Sequence, residues 1–290
     1  MDFMKMRLVY AFILMMGTLC FYFSMGPFEE PPLVLKKGHK KFLQLPDIDC
    51  NQKPPFLVLL VTSSHKQLAA RMAIRKTWGR ETEVQGQRVK TLFLLGASDS
   101  FLNFKDDYYN LTLKTLMGME WVHHFCPQAA FVMKTDSDMF VNVGYLTDLL
   151  LKKNKTSRFF TGYIKPHEIP IRKKSSKWFV SKFEYPWDRY PPFCSGTGYV
   201  FSSDVASKVF NVSESVPFLK LEDVFVGLCL AKLNIRPEEL HTEPTFFPGG
   251  LRFSVCRFKK IVTCHYVSPQ NLLTYWQALE NSQEQVCSDV

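Results

Sequence analysis

The run Phe131-Val-Met-Lys-Thr-Asp-Ser-Asp-Met-Phe140 carries two carboxylates, Asp136 and Asp138, to the point where an apolar, partly β-branched stretch stops. In an α/β sheet, ligands lie outside the carboxyl ends of parallel strands, so a pair spaced i and i+2 there stands where a metal-bound nucleotide would sit. Hard oxygen donors suit Mg²⁺ or Mn²⁺, ions usually held by one or two carboxylates while substrate phosphates complete the shell. The tripeptide by itself also reads as a turn whose side chains bond nearby amides. As chemistry, it reads as a diphosphate clamp.

Further constellations favour the chemical reading. Arg71-Met-Ala-Ile-Arg-Lys-Thr-Trp78 sets Arg71 and Arg75 four residues apart, hence on one helical face, where planar guanidinium donors could meet a diphosphate. The segment Tyr185-Pro-Trp-Asp-Arg-Tyr-Pro-Pro-Phe-Cys-Ser-Gly-Thr-Gly-Tyr199 reads as a loop. Its glycines, Gly196 and Gly198, allow close backbone approach to a ligand, and Tyr185 and Trp187, with Trp178 just upstream, offer flat faces to a sugar ring. Leu221-Glu-Asp-Val-Phe-Val-Gly-Leu-Cys-Leu-Ala-Lys-Leu233 is an amphipathic helix with Glu222 and Asp223 in its first turn. The helix dipole alone favours acids there. Chemistry gives the sharper reason, because sugar transfer from a nucleotide donor needs one general base, whereas a glycoside hydrolase needs two cooperating carboxyls. A late histidine, His265 in Val262-Thr-Cys-His-Tyr-Val267, reads from its spacing as a packed residue.

The elements that must hold these groups alternate. Phe56–Thr62 and Thr91–Leu95 read as buried strands, followed by a strand ending at Asp136 and another at Phe159–Tyr163. Helical patterns fall at Gln67–Trp78, Leu111–Phe125 and Val143–Lys152. Alternation of this kind predicts a doubly wound, mostly parallel α/β sheet flanked by helices. No Gly-rich phosphate loop follows the first strand, which disfavours a dinucleotide dehydrogenase.

Residues 1–7 include Lys5 and Arg7, and Leu8 to Met25 carries no charge, so 8–25 reads as a transmembrane signal anchor with a cytosolic tail before it. A cleaved signal peptide is the competing reading, but the apolar run continues to Gly26-Pro27 without a small-residue cleavage site. Residues 26–55, rich in proline, read as a stem, and 56–290 as one lumenal domain of catalytic size. Cys50, Cys126, Cys194, Cys229, Cys256, Cys264 and Cys287 allow at most three bridges in an oxidising lumen. Sequons at Asn110, Asn154 and Asn211 fit the same compartment. The net charge of +9 comes largely from short surface runs of Lys and Arg, and a chain anchored in a lumen does not meet nucleic acid.

The ordered set RMAIRKTW, FVMKTDSDMF, FFTGY, YPPFCSGTGYVFS, LEDVFVG and Cys264-His265 resembles the inverting β-1,3-glycosyltransferases, the family of β-1,3-galactosyltransferases, β-1,3-N-acetylglucosaminyltransferases and Fringe. The resemblance implies a GT-A fold, a UDP-sugar donor, Mn²⁺, and an acceptor glycan on a glycoprotein or glycolipid. It implies metal ligation by Asp136, Asp138 and His265, and a catalytic base in Asp223. Arg71, Arg75, Lys134 and Ser137 would lie on the donor side, with Trp178, Tyr185, Trp187, Gly196, Gly198 and Glu222 around the acceptor sugar. It further implies a type II protein of the Golgi membrane, able to form homo- or hetero-oligomers with other transferases. The expected reaction is inverting transfer of galactose from UDP-galactose, in β-1,3 linkage, to terminal N-acetylglucosamine. The alternatives are N-acetylglucosamine transfer by the same fold, or a non-catalytic Golgi protein. The last arises because only Ala97 to Asp106 separate Gly96 from the Asp107-Tyr-Tyr-Asn-Leu-Thr-Leu-Lys-Thr115 helix, where similar family members carry a longer segment.

Overall fold

The computed structural model describes residues 15–16, 42, 44–46, 48–80, 83–96, 107–282 and 286–287. The expected anchor at 8–25, apart from 15–16, most of the stem, and the connection 97–106 lie outside the described residues. Among the described residues no helix is long and apolar enough to cross a membrane.

The first strand, β1 (Leu57–Thr62), is buried along its whole length. Its side chains alternate between two cores, as the period of two requires: Val58 and Leu60 face one, and Leu57, Leu59 and Val61 the other. The chain then forms α1 (Leu68–Lys76), β2 (Glu83–Val84), β3 (Gln87–Leu94), α2 (Leu111–Phe125) and β4 (Phe131–Asp136). Next come β5 (Phe140–Val141), α3 (Val143–Lys153), β6 (Phe160–Lys165), β7 (Phe193–Ser202), α4 (Ser203–Val212) and α5 (Glu222–Lys232). It closes with β8 (Phe246–Phe247), α6 (Val255–Lys259), β9 (Thr263–Cys264) and α7 (Pro269–Glu280).

The main sheet has the order β2-β3-β1-β4-β7-β6. β1 is parallel to both β3 and β4, whereas β7 is antiparallel to β4 and to β6, and β2 to β3. The sheet is therefore mixed, a correction to the mostly parallel sheet expected, because the supposed glycine loop around Gly196 and Gly198 is the strand β7 running against its neighbours. One core lies under α2, α4 and α5, and the other under α1, α3, α6 and α7. The chain crosses from β1 to β3 on one side and returns to β4 on the other, so the sequence order reverses between β1 and β4. Open α/β sheets bind ligands at such a switch point.

A small second sheet, β5-β9-β8, pairs Phe140 with Cys264 and Val141 with Thr263. That register brings the segment after β9 alongside the turn after β4. The Val267 amide donates to Asp138 O at 3.0 Å and closes the junction.

Disulfides join Cys50 to Cys126 and Cys256 to Cys287, and Cys194, Cys229 and Cys264 are free and buried. Cys50 falls within the expected stem, yet it is buried in the core, and Phe42 and Ile48 pack against that core. The folded unit therefore reaches back past the expected boundary at 56.

Candidate active site

A cleft of about 860 Å³ opens at the carboxyl ends of β1 and β4, lined among others by Thr62, Ser63, Asp136, Ser137, Asp138, Gly196, Glu222, Asp223 and His265. In-register pairing sets Thr62 beside Asp136, and the Thr62 hydroxyl donates to Asp136 Oδ1 at 2.6 Å. Two residues on, Asp138 Oδ2 lies 3.2 Å from His265 Nε2. The other ring nitrogen, Nδ1, is 2.9 Å from Pro248 O, a contact that fixes a proton on Nδ1.

Each group shifts its partner's titration. Burial alone would lower His265, but the Asp138 carboxylate and the Pro248 carbonyl raise it overall. Burial would raise Asp138, and the imidazole outweighs it and holds the carboxyl below its ordinary range.

The fit to a divalent cation is partial. With Nδ1 protonated, Nε2 can face a carboxylate at this distance only as an imidazolium or across a shared cation, and carboxylate plus imidazole is an acceptable Mn²⁺ donor set. Asp136 lines the same cleft, with its Oδ1 already held by Lys134 and Thr62. Among the described residues no group of three His, Cys, Asp or Glu side chains is placed to hold a metal. A cation here would take Asp138 and His265 from the protein and depend on water and donor phosphates for the rest.

The acids of α5 differ in what they face. Glu222 is buried, accepts from the Tyr199 hydroxyl through Oε1, and lies 3.4 Å from Lys134 Nζ through Oε2. Asp223 is half-buried in the cleft wall, with Oδ2 accepting from Gly196 N–H at 3.1 Å and Oδ1 from Val224 N–H at 2.9 Å. Each oxygen keeps a lone pair for a substrate. Desolvation raises the Asp223 pKa, partly offset by these two amides, and desolvation likewise raises Glu222, partly offset by Lys134. A carboxylate that is desolvated, reachable and not ion-paired suits a general base, and Asp223 meets those terms better than Glu222. Gly196 makes the packing possible, since a Cβ there would lie 2.9 Å from Glu222 Oε2 and 3.4 Å from Asp223 Cβ.

Several expected donor and acceptor residues stand elsewhere. Arg71 is buried and donates to Ser63 Oγ at 3.1 Å, to Ser64 O, and to His65 O at 3.3 Å, so it braces the turn after β1 instead of facing the cleft. Arg75 lies over the Phe93 ring at 4.6 Å, outside the cleft. Trp78 is buried and donates to Met139 O at 3.0 Å, behind the acidic turn. The basic motif is thus a scaffold for the cleft floor. Tyr185 is buried with its hydroxyl on Arg189 O, and Trp187, 62% exposed, lies tilted against its ring at 5.1 Å without lining the cleft. Gly198, paired with Thr135 inside β7, does not line it either. Trp178 does, and Lys177 sits over its ring at 4.7 Å.

The sequence reading missed Tyr108, Lys165, Lys177, Lys220 and Tyr266, all on the cleft wall. They occupy loops, an edge strand and, for Tyr108, the 3-10 turn that leads into α2. Only Tyr266 had a local cue, its position after Cys264-His265. It stacks on His265 at 3.8 Å and takes a φ of +62°, a left-handed conformation uncommon for a bulky side chain. Of the sequons, Asn154 and Asn211 are exposed, and Asn110 is half-buried at the start of α2.

A family model described as galactosyltransferase matches residues 101–241. The whole chain aligns with relatives of the same kind, and it belongs to this galactosyltransferase family of enzymes. It is 77% identical to β-1,3-galactosyltransferase 5 of Mus musculus over 99% of each chain, and 66% identical to β-1,3-galactosyltransferase 5 of Homo sapiens over the full length of both. Identity to β-1,3-galactosyltransferase 2 of Homo sapiens is 42%, over 87% of this chain and 65% of that one. The alignment to the human type 5 enzyme spans 311 positions against a chain of 290, so that relative has residues with no counterpart here. Among solved structures, the apo WbbM bifunctional glycosyltransferase superposes with a TM-score of 0.44 at 12% identity, over 84% of this chain and 53% of that one.

Proposed function

We propose that this chain transfers galactose from UDP-galactose, with inversion, to the 3-hydroxyl of a terminal N-acetylglucosamine on a glycoprotein or glycolipid. It would do so as a type II protein of the Golgi membrane, alone or in oligomers with other transferases. The observation that carries the reading is Asp223, a desolvated carboxylate held by two backbone amides on the cleft wall. The names of its full-length relatives support the choice of sugar and linkage.

In this mechanism the acceptor lies against Asp223, whose free lone pair takes the proton of the attacking hydroxyl. The oxygen forms its bond to the anomeric carbon on the face opposite the nucleotide, the bond to the diphosphate breaks, and configuration inverts. One base suffices, because the diphosphate leaves without being protonated. Asp138 and His265 would hold Mn²⁺, which when bound supplies positive charge to the leaving diphosphate. Ser137, between the two aspartates, and Ser63 line the cleft and would face the donor.

The shorter length relative to the human type 5 enzyme supports a second reading, a non-catalytic protein that binds sugar or another transferase. Measuring UDP release by the full-length protein, across a panel of UDP-sugars and acceptors, separates the two. Release with UDP-galactose and an N-acetylglucosamine acceptor is the expected result, and its absence with every pair would reject the transferase reading.

A further inference from the structure

Lys134 carries a buried charge that the chemistry above leaves unused. It is 1% exposed, on the sheet face covered by α2, α4 and α5, and where it reaches the cleft its ammonium is taken up by protein acceptors. Its ammonium donates to Asp136 Oδ1 at 2.8 Å and to Gly196 O at 2.5 Å, and lies 3.4 Å from Glu222 Oε2. The same residue, through the N–H of its preceding peptide, holds Asp223 Oδ2. One ammonium is therefore linked directly to the end of β4 and the first turn of α5, and through one residue of β7, Gly196, to the base itself. Simple neutralisation of Glu222 would set the nitrogen nearest Glu222, yet that carboxylate is the farthest of the three partners.

We propose that Lys134 is a positioning residue, fixing Asp223 relative to the Asp136-Ser-Asp138 turn so that proton removal and nucleotide departure occur at a set separation. The role rests on the transferase reading, but its test includes a readout independent of turnover. A short amine at this position would not span the three acceptors, and an apolar chain would release all of them.

Lys134→Met alone leaves carboxylates buried without their cation and risks unfolding. The decisive variant is therefore Lys134→Met with Glu222→Gln, compared in full-length protein with Glu222→Gln alone. Melting temperature, kcat, donor KM and amide hydrogen exchange across residues 194–198 are read together. The double variant is expected to fold, to lose at least about 100-fold in kcat with a smaller change in donor KM, and to exchange the Gly196 region roughly tenfold faster. Glu222→Gln alone should retain more activity than the double variant and native exchange. A double variant with native exchange would overturn the proposal, and so would a Glu222→Gln variant as slow as the double. If no variant, nor the parent, turns over UDP-galactose, the transferase reading fails while exchange still decides whether Lys134 holds the Gly196–Asp223 unit.

Discussion

Replacing Asp223 by Asn separates the energetic cost of the proposed base from its benefit. The asparagine keeps the volume but has one acceptor oxygen where the carboxylate used two, so its amide group must face either Gly196 N–H or Val224 N–H. Losing a hydrogen bond to a charged acceptor costs about 1.5–3 kcal/mol. Against this, the raised folded-state pKa means that ionised Asp223 destabilises the fold above that pKa, since the favourable contribution of a raised group is lost as pH rises through it. Removing the charge at neutral pH relieves that cost. The net loss should therefore be smaller than that of the hydrogen bond alone, with Tm falling by less than about 10 °C in a domain of this size. Turnover loses its base entirely, about 10²–10⁴-fold, while UDP affinity stays near the parent value. In the parent, kcat should fall as pH drops through the raised pKa, placing the acid limb above that of an ordinary carboxylate, and the variant should lose that limb. The assays are UDP release against pH, calorimetry with UDP, and thermal melting. Turnover close to the parent would refute the reasoning and pass the role to Glu222, and a collapse in Tm would make Asp223 structural.

Asp138→Ala should abolish metal-dependent UDP binding without unfolding the domain; calorimetry giving equal UDP affinity with and without Mn²⁺ in the parent would return the acidic pair to a plain turn. Gly196→Ala should drive a methyl against Glu222 and Asp223 and cost about 1–3 kcal/mol by thermal melting, with kcat falling as well; an unchanged Tm and kcat would show that the acid pair yields easily. Arg75→Ala should leave donor KM within about twofold, as expected of a surface change away from the site, and a large rise would restore it to the donor side. Cys50→Ser opens a loop of 76 residues closed against Cys126, an expected loss of about 4 kcal/mol in the chain-entropy view; denaturant unfolding with an unchanged midpoint would show that the bridge adds nothing.

Much of the scaffold was legible because period and polarity agree in it. The β1 run is apolar from Leu57 to Val61 and the β4 run from Phe131 to Met133, and α2 occupies Leu111–Phe125 as the pattern indicated. The strand β7 was hidden because Gly196 and Gly198 are poor strand formers, and Gly196 is required there by the closeness of two acids from α5, a tertiary fact with no local trace. The helices α4 and α7 were not assigned either. The acidic pair was singled out by residue type and spacing, and His265 and Asp223 by the family resemblance, and all four line the cleft. The meeting of Asp138 with His265 depends on β5 pairing with β9 across more than a hundred residues, beyond any local pattern. Arg71 misled for a related reason, since spacing fixes a helical face but not whether that face looks at a ligand or at the carbonyls of the preceding turn.

The bridge from Cys50 to Cys126 also governs orientation. Cys126 follows the end of α2, a helix whose first turns line the cleft, and fifteen residues at about 1.5 Å each separate the two ends by roughly 20 Å. The polypeptide leading in from the amino terminus is thus fastened at the pole opposite the cleft. Phe42 extends that fastening by packing edge-on against Phe125. If a membrane anchor lies upstream, pulling on the tether loads the bridge and the base of α2 before it reaches the cleft walls. The open mouth would then face outward, toward glycans carried by other molecules, and the length of the leader would set how far from the bilayer those glycans can be met.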